Sequence, residues 1–267
     1  MILPPPVNSS LPQTFLCGIW KRLLSHSLRE YHVTRRTYSS SSGGHSCLPS
    51  TRKQGEVFIG SIVVCHLFIM NESGEANDPK PVRLIVAACR NMGIGLKGNL
   101  PWNLPNEFKY FLAKITSVSD PGKKNLIMWG RKSFETFPES LLPLPNTVIA
   151  LLSKTLRSAP KYVQYICPDV HEIIKLGSTP PLSKEIETIW VLGGAKPYME
   201  MMHHPWCDQI FFTKIMADFE CDTFFPVFDK DIFNLAEGFP GIPSGIQEEN
   251  DITYEFQVYN RNGRNGK

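Results

Sequence analysis

The stretch RLIVAACRNMGIGLKGNLPWNLPNEFKYF, residues 83–111, joins three patterns that together set the fold class. RLIVAAC (83–89) is a continuous apolar run and reads as a strand. NMGIGLKGNLPW (91–102) is a Gly-rich loop. LPNEFKYF (104–111) opens a helix, on whose 3.6-residue period Phe108, Phe111, Leu112 and Ile115 form one apolar stripe, with Lys109 and Lys114 pointing away. Asn106 is the expected N-cap, because its side-chain oxygen can accept from a free backbone N–H. Glu107 then falls in the first turn, on the edge of the stripe and among aromatics. Two readings fit that acid. It complements the helix dipole, or it serves a site.

The same alternation continues down the chain. KNLIMWG (124–130) is a second apolar strand, followed by a helix beginning RKSFETF. NTVIALLS (146–153) is a third strand, DVHEIIKL (169–176) a short helix, TIWVLGG (188–194) a strand and AKPYMEMM (195–202) a helix. QIFFTKIM (209–216) and ITYEFQVY (252–259) are late strands whose alternation predicts an antiparallel edge. Apolar strands alternating with helices imply an α/β sheet covered on both faces. No internal repeat is visible.

Composition sets outer limits. The chain has 267 residues, 42% hydrophobic and 20% charged, as in ordinary globular proteins. A net charge of +3 is too mild to argue for nucleic acid. The seven cysteines form no C-x-x-C pair and no zinc-spaced cluster, so no metal site is expected and the thiols are expected to stay reduced. No apolar run reaches the roughly 20 residues of a membrane helix. VFIGSIVVCHLFIM (57–70) comes nearest, and fits an extra strand, an interfacial segment or a gene-model artefact.

The chain divides near Arg83. Residues 1–55 carry Lys21, Arg22, Arg29, Arg35, Arg36, Arg52 and Lys53 against a single acid, Glu30. FLCGIWKRLLSHSLREY (15–31) is amphipathic, and SSSSGGHS is low-complexity. A basic, Ser-rich, acid-poor amphipathic leader is the pattern of a mitochondrial transit peptide, with RRTYSS as a processing site. The expectation is a matrix address if the leader acts so, and the cytosol otherwise. Residues 1–82 are taken as an N-terminal extension ending in a polar linker, NESGEANDPKP, and 83–267 as the folded domain.

Two strand-to-helix junctions carry the chemistry. In LIMWGRKS, Gly130 precedes Arg131, Lys132 and Ser133 at a helix start, and free N–H groups with two cations and a hydroxyl suit an anion. In WVLGGAKPY, Gly193 and Gly194 let backbone approach a ligand closely before another helix start. Two such junctions at strand ends in one sheet fit the rule that α/β ligands bind at the carboxyl ends of strands. A pyrophosphate with an extra phosphate would fit, which points to NADP. The G-x-G-x-x-G dinucleotide fingerprint is read as absent, which argues against a Rossmann-type site.

VAACRNMGIGLKGNLPW, LPNEFKYF, GRKSFETFP, VLGGAKPY, FTKIM and FECDTFFP occur in an order and spacing that resembles the dihydrofolate reductase family across about residues 83–260. The resemblance implies a dihydrofolate-reductase-like fold: a predominantly parallel, eight-stranded mixed sheet with flanking helices. It also implies NADPH as cofactor, dihydrofolate as substrate and a monomeric enzyme needing neither metal nor nucleic acid. Glu107 matches the family's active-site acid, which grips the pterin 2-amino group and ring N–H, and Thr213 matches the threonine that bonds it. Trp102 would order a water, and Leu100 would cover the nicotinamide from a mobile loop. Phe108, Phe111, Phe137 and Leu144 would sandwich the substrate. Ala87, Ile94, Gly95, Leu192 and Tyr198 would line the nicotinamide pocket. Arg131, Lys132, Ser133, Ser153 and Lys154 would hold the adenosine phosphates, and Gly193, Gly194, Ala195 and Lys196 the pyrophosphate.

Two departures stand out. The family's PLxGRxNVVL, whose arginine clamps the substrate's glutamate tail, is here PLPNTVIALL, with Asn146 for the glycine and Thr147 for the arginine. Lys109 offers a flexible charge in its place. Trp129 replaces a smaller residue before Gly130, which overpacks the site if it is already full. Two alternatives follow: a diverged paralogue that binds NADPH and folates but turns over poorly, or a pterin or pyrimidine reductase of the same fold.

Overall fold

The computed structural model describes residues 80–263. The leader, the 57–70 segment and most of the 71–81 linker lie outside the described residues. The elements run β1 (Val82–Ala88), β2 (Gly93–Gly95), α1 (Pro105–Thr116), β3 (Lys124–Gly130), α2 (Arg131–Glu135), β4 (Thr147–Leu152), β5 (Tyr165–Cys167) and α3 (Val170–Ser178). They continue β6 (Ile186–Val191), α4 (Ala195–Met202), β7 (Cys207–Ile215), β8 (Thr223–Phe224), β9 (Phe233–Leu235), β10 (Ile246–Glu249) and β11 (Ile252–Arg261).

The central sheet is ordered β10-β11-β7-β1-β6-β3-β4-β5, with β9 also paired to β11. From β7 to β5 every pairing is parallel, and β11 is antiparallel to β7 and β10. The continuous apolar strands follow from this position, because both sheet faces are covered. On one face Leu84, Val86, Met128 and Ile189 pack with Ile173 of α3 and Met201 of α4. On the other, Ile85, Ile127, Ile149 and Trp190 pack with Ile115 of α1. Each fully buried side chain of this size contributes about 1.5–3 kcal/mol.

Several expectations change. β7 is no edge: it lies between β1 and β11, parallel to β1, and Ile210, Phe211, Phe212 and Thr213 are buried in succession. β11 does alternate, with Tyr254, Phe256 and Val258 buried, but β10 lies outside it. Asn106 does not cap α1. The N-cap position is Leu104 with Pro105 at the first helical position, and the backbone N–H and side-chain amide of Asn106 both donate to Glu249. Pro105 fits there because the first turn lacks acceptors for its N–H groups anyway. Lys114 does not point away: its Nζ donates to Gly241 O at 2.8 Å and lies over the Tyr110 and Phe211 rings. Trp129 is buried, and its ring meets Phe134 and Phe137 edge-on at 5.5 and 4.8 Å.

Candidate active site

Starting α1 at Pro105 turns Glu107 inward, where it is 6% exposed. Thr213 Oγ1 donates to Glu107 Oε1 at 2.8 Å. Thr213 stands beside Ala87 in the register of β7 and β1, so the acid sits over the carboxyl ends of two parallel central strands. Burial pushes its carboxyl from 4.5 up to about 7, the charge of Glu249 adds to the rise, and the Thr213 hydrogen bond opposes it. A carboxyl held there is poised between its two forms near neutral pH, and an N–H donor pair on a ligand favours the ionised one.

Aromatic side chains gather along the same helix. Phe108 stacks on Phe111 at 5.6 Å and lies 6.1 Å from Phe137, and Leu144 is buried in the cluster that holds Phe111 and Phe137. Lys109 is exposed. Trp102 is buried edge-on to Phe219 at 5.5 Å, and its indole Nε1 has no acceptor among the described residues. A buried N–H of that type needs a partner, and a water is the smallest one. Leu100 is 51% exposed on the loop.

The two strand-to-helix junctions meet. Gly130 N–H donates to Gly193 O at 2.6 Å. A Cβ on Gly130 would lie 2.9 Å from Gly193 O and 3.1 Å from Gly194 N. Gly193 has φ +98°, in the region that favours glycine, and packs on the Tyr198 ring. Tyr198 is buried and its hydroxyl donates to Ile85 O at 2.7 Å. A Cβ on Gly194 would lie 3.3 Å from Ser133 Oγ, so Ser133 and Gly194 share one cradle. Ala195 and Lys196 begin α4, with Lys196 paired to Glu200 at 3.6 Å. Leu192 is buried at the end of β6, Ile94 packs on the first core, Ala87 on the Trp102 cluster, and Gly95 pairs with Thr223.

Farther out, Arg131 is not free. Its Nε pairs with Glu135 at 2.6 Å and one terminal nitrogen reaches Thr155 Oγ1 at 3.4 Å. Ser153 Oγ accepts from the N–H groups of Thr155 and Leu156, while Lys132 and Lys154 are exposed. Asn146 adopts φ +52° and its side-chain amide donates to Thr116 O at 3.3 Å, so asparagine takes the left-handed turn here. Thr147 Oγ1 donates to Leu144 O at 2.9 Å.

Three features escaped the sequence. Glu249 caps α1 from the far end of the chain and raises the acid beside it. Asp222 accepts from Lys97 N at 2.8 Å while its own N–H donates to Gly95 O at 3.0 Å, tying the Gly-rich loop to residues 218–225. No local pattern marks either acid. The G-x-G-x-x-G spacing is not absent as expected, since GIGLKG (93–98) has it, but this stretch forms β2 and a turn bridged at Leu96 and Asn99, and the helix begins only at Pro105.

The chain matches the family model described as dihydrofolate reductase over residues 81–261. It is 40% identical over 183 residues to the dihydrofolate reductase of Rattus norvegicus, spanning 68% of this chain and 98% of that one. It is 41% identical over 177 residues to that of Drosophila melanogaster, spanning 66% and 94%. The solved structure titled Schistosoma mansoni dihydrofolate reductase superposes with a TM-score of 0.61 at 32% identity, covering 68% of this chain and 98% of that one. The chain belongs to the dihydrofolate reductase family.

Proposed function

We propose that the chain is an NADPH-dependent oxidoreductase that reduces 7,8-dihydrofolate to tetrahydrofolate. The observation that carries this reading is the buried Glu107–Thr213 pair, together with the junction at which the Gly130, Gly193 and Gly194 backbones approach closely. That junction suits a dinucleotide, because backbone N–H groups at a helix start can hold its phosphates. Gly193, Gly194, Ala195 and Ser133 would hold the pyrophosphate, Arg131 and Lys132 the 2′-phosphate, and Ala87, Ile94 and Leu192 the nicotinamide. Bound there, NADPH supplies the hydride.

The residues of the chain do the rest. Glu107, ionised by the contact, accepts two hydrogen bonds from the pterin 2-amino group and ring N–H, while Thr213 fixes the carboxylate plane. Phe108, Phe111 and Phe137 exclude water from the ring. A water held by Trp102 Nε1 would give the proton a route to the substrate. The purified full chain is expected to oxidise NADPH in the presence of dihydrofolate, and no such consumption would overturn the reading.

Replacing Arg131 and Lys132 together with Ala is expected to narrow the preference for NADPH over NADH by about tenfold or more, chiefly through NADPH affinity. Arg131 must leave Glu135 to reach a phosphate, so Lys132 is expected to contribute at least half of that effect. Binding titrations of both cofactors to the single and double variants decide this.

Thr147 sets the tail specificity. With no planar fork at this position, dihydrofolate and a dihydropterin lacking the glutamyl tail are expected to be turned over with similar kcat/KM. Thr147→Arg is expected to restore about 2 kcal/mol of preference for the tailed substrate, roughly 30-fold. The left-handed Asn146 already supplies the turn. A several-hundred-fold preference in the unmodified protein would mean that another cation holds the carboxylate.

A further inference from the structure

We propose that Cys89 and Cys221 are a peroxide-sensitive thiol pair, whose oxidation to a disulfide locks the Gly-rich loop against residues 218–225. Cys89 directly follows β1 and is buried, while Cys221 sits two residues before β8 and is partly exposed. Their sulfurs lie 3.9 Å apart. Cys89 S–H donates to Asn91 Oδ1 at 3.0 Å, so the hydrogen between the two sulfurs belongs to Cys221. The same Asn91 oxygen accepts from Gly93 N at 3.0 Å and fixes the turn that carries Cys89 into the loop.

Gly93 makes the approach possible. A Cβ there would lie 2.4 Å from Cys221 Sγ and 2.7 Å from Cys221 Cβ. Any other residue at position 93 would push Cys221 away from Cys89. A disulfide needs the sulfurs at about 2.05 Å, a closure of roughly 2 Å that side-chain rotation and a small loop shift supply. The other described thiols are placed elsewhere. Cys167 ends β5 at the sheet's far edge, and Cys207 aligns with Val82, at the opposite end of β1 from Cys89.

The chemistry balances with one peroxide. The Cys221 thiolate attacks a peroxide oxygen, the O–O bond breaks, and hydroxide leaves and takes up the thiol's proton as water. Cys221 is then a sulfenic acid. Cys89 sulfur attacks Cys221 sulfur, the S–O bond breaks, and a second water leaves with the proton of Cys89. Two thiols are oxidised and the peroxide is reduced to two waters. A small neutral oxidant suits the site. Asp218, Glu220 and Asp222 flank Cys221, with Asp218 paired to Arg90 at 2.9 Å, and the remaining acid charge disfavours anionic disulfides such as oxidised glutathione. Burial and the neighbouring Cys89 push the Cys221 thiol up, so the closed loop reacts slowly and an opened loop faster.

The bridge would act where the loop meets residues 218–225 through hydrogen bonds and the Trp102–Phe219 ring contact. Arg90 N donates to Ala217 O, Phe225 N to Met92 O and Lys97 N to Asp222, and β2 pairs with β8 through Gly93 and Gly95. A covalent tie beside these bonds removes the open state of the loop that also carries Leu100 and Trp102. The effect on turnover rests on the proposed function, but the bridge itself does not.

The full chain, reduced and then treated with hydrogen peroxide, is expected to become two hydrogens lighter. Digestion without reductant is expected to yield a Cys89–Cys221 linked peptide that dithiothreitol separates. Amide exchange across residues 93–97 is expected to slow by about tenfold or more, and turnover to fall by a similar factor and recover on reduction. Cys221→Ser is expected to keep basal turnover and lose both responses. A linked peptide joining other cysteines, sulfinic acid at Cys221 without a link, or unchanged exchange in the linked protein each overturns the proposal. Absence of turnover in the reduced protein would refute the proposed reaction and leave the mass and exchange results standing as the test of the pair.

Discussion

Glu107→Gln is expected to leave the fold intact and lower turnover at neutral pH by at least about 10²-fold, the scale of a group that stabilises charge or moves a proton in the transition state. The amide has the shape of the acid, and its oxygen can still accept from Thr213 Oγ1. What it lacks is the charge and the second acceptor for the substrate's N–H pair. The same variant separates function from stability. Burial pushes the carboxyl from 4.5 up to about 7. Between those values the folded state binds more protons than the unfolded one, so stability is present below 4.5 and is lost as pH rises through about 7. At about 1.4 kcal/mol per tenfold, the span corresponds to roughly 3 kcal/mol. Gln carries no such dependence. Urea midpoints at acid and mildly alkaline pH are therefore expected to show the variant gaining on the unmodified protein as pH rises, while kcat/KM collapses. Turnover equal to that of the unmodified protein would remove Glu107 from the reaction.

The long elements were legible because their patterns are long. KNLIMWG and AKPYMEMM match Lys124–Gly130 and Ala195–Met202 to the residue. Strands of two to four residues, such as Gly93–Gly95 and Thr223–Phe224, have no period to read and form only because a distant partner is brought beside them. The site divides in the same way. Glu107 was visible as an acid on the rim of an apolar stripe, but its inward direction depends on Pro105 starting the helix and on Glu249 holding the first turn. Its partner Thr213 lies 106 residues away, so only the family resemblance pointed to it. Arg131 and Glu135 stand at helical i,i+4 spacing, and their pairing was readable from the sequence although the basic junction drew attention to the anion site alone.

Gly130→Ala is expected to weaken NADPH binding by about tenfold or more while leaving the acid and its threonine in place. The added Cβ would lie 2.9 Å from Gly193 O and 3.1 Å from Gly194 N. Both are backbone atoms, so no rotamer change clears them. Either the end of β3 moves or the Gly193–Gly194 segment does, and the 2.6 Å hydrogen bond from Gly130 N to Gly193 O resists both. Forcing a methyl into a packed site typically costs about 1–3 kcal/mol, roughly 5- to 150-fold if it falls entirely on the bound state. Part of it will fall on the free protein, so the thermal midpoint should drop as well. Gly122 supplies the control. A Cβ there comes no closer than 3.4 Å, to Asp120 Oδ1, and Gly122→Ala is expected to change neither quantity. The two variants compared in NADPH titrations isolate the contact, because Glu107 and Thr213 stand on α1 and β7, away from the β3–β6 junction that carries the added methyl. NADPH affinity unchanged in Gly130→Ala would place the cofactor's phosphates somewhere other than this cradle.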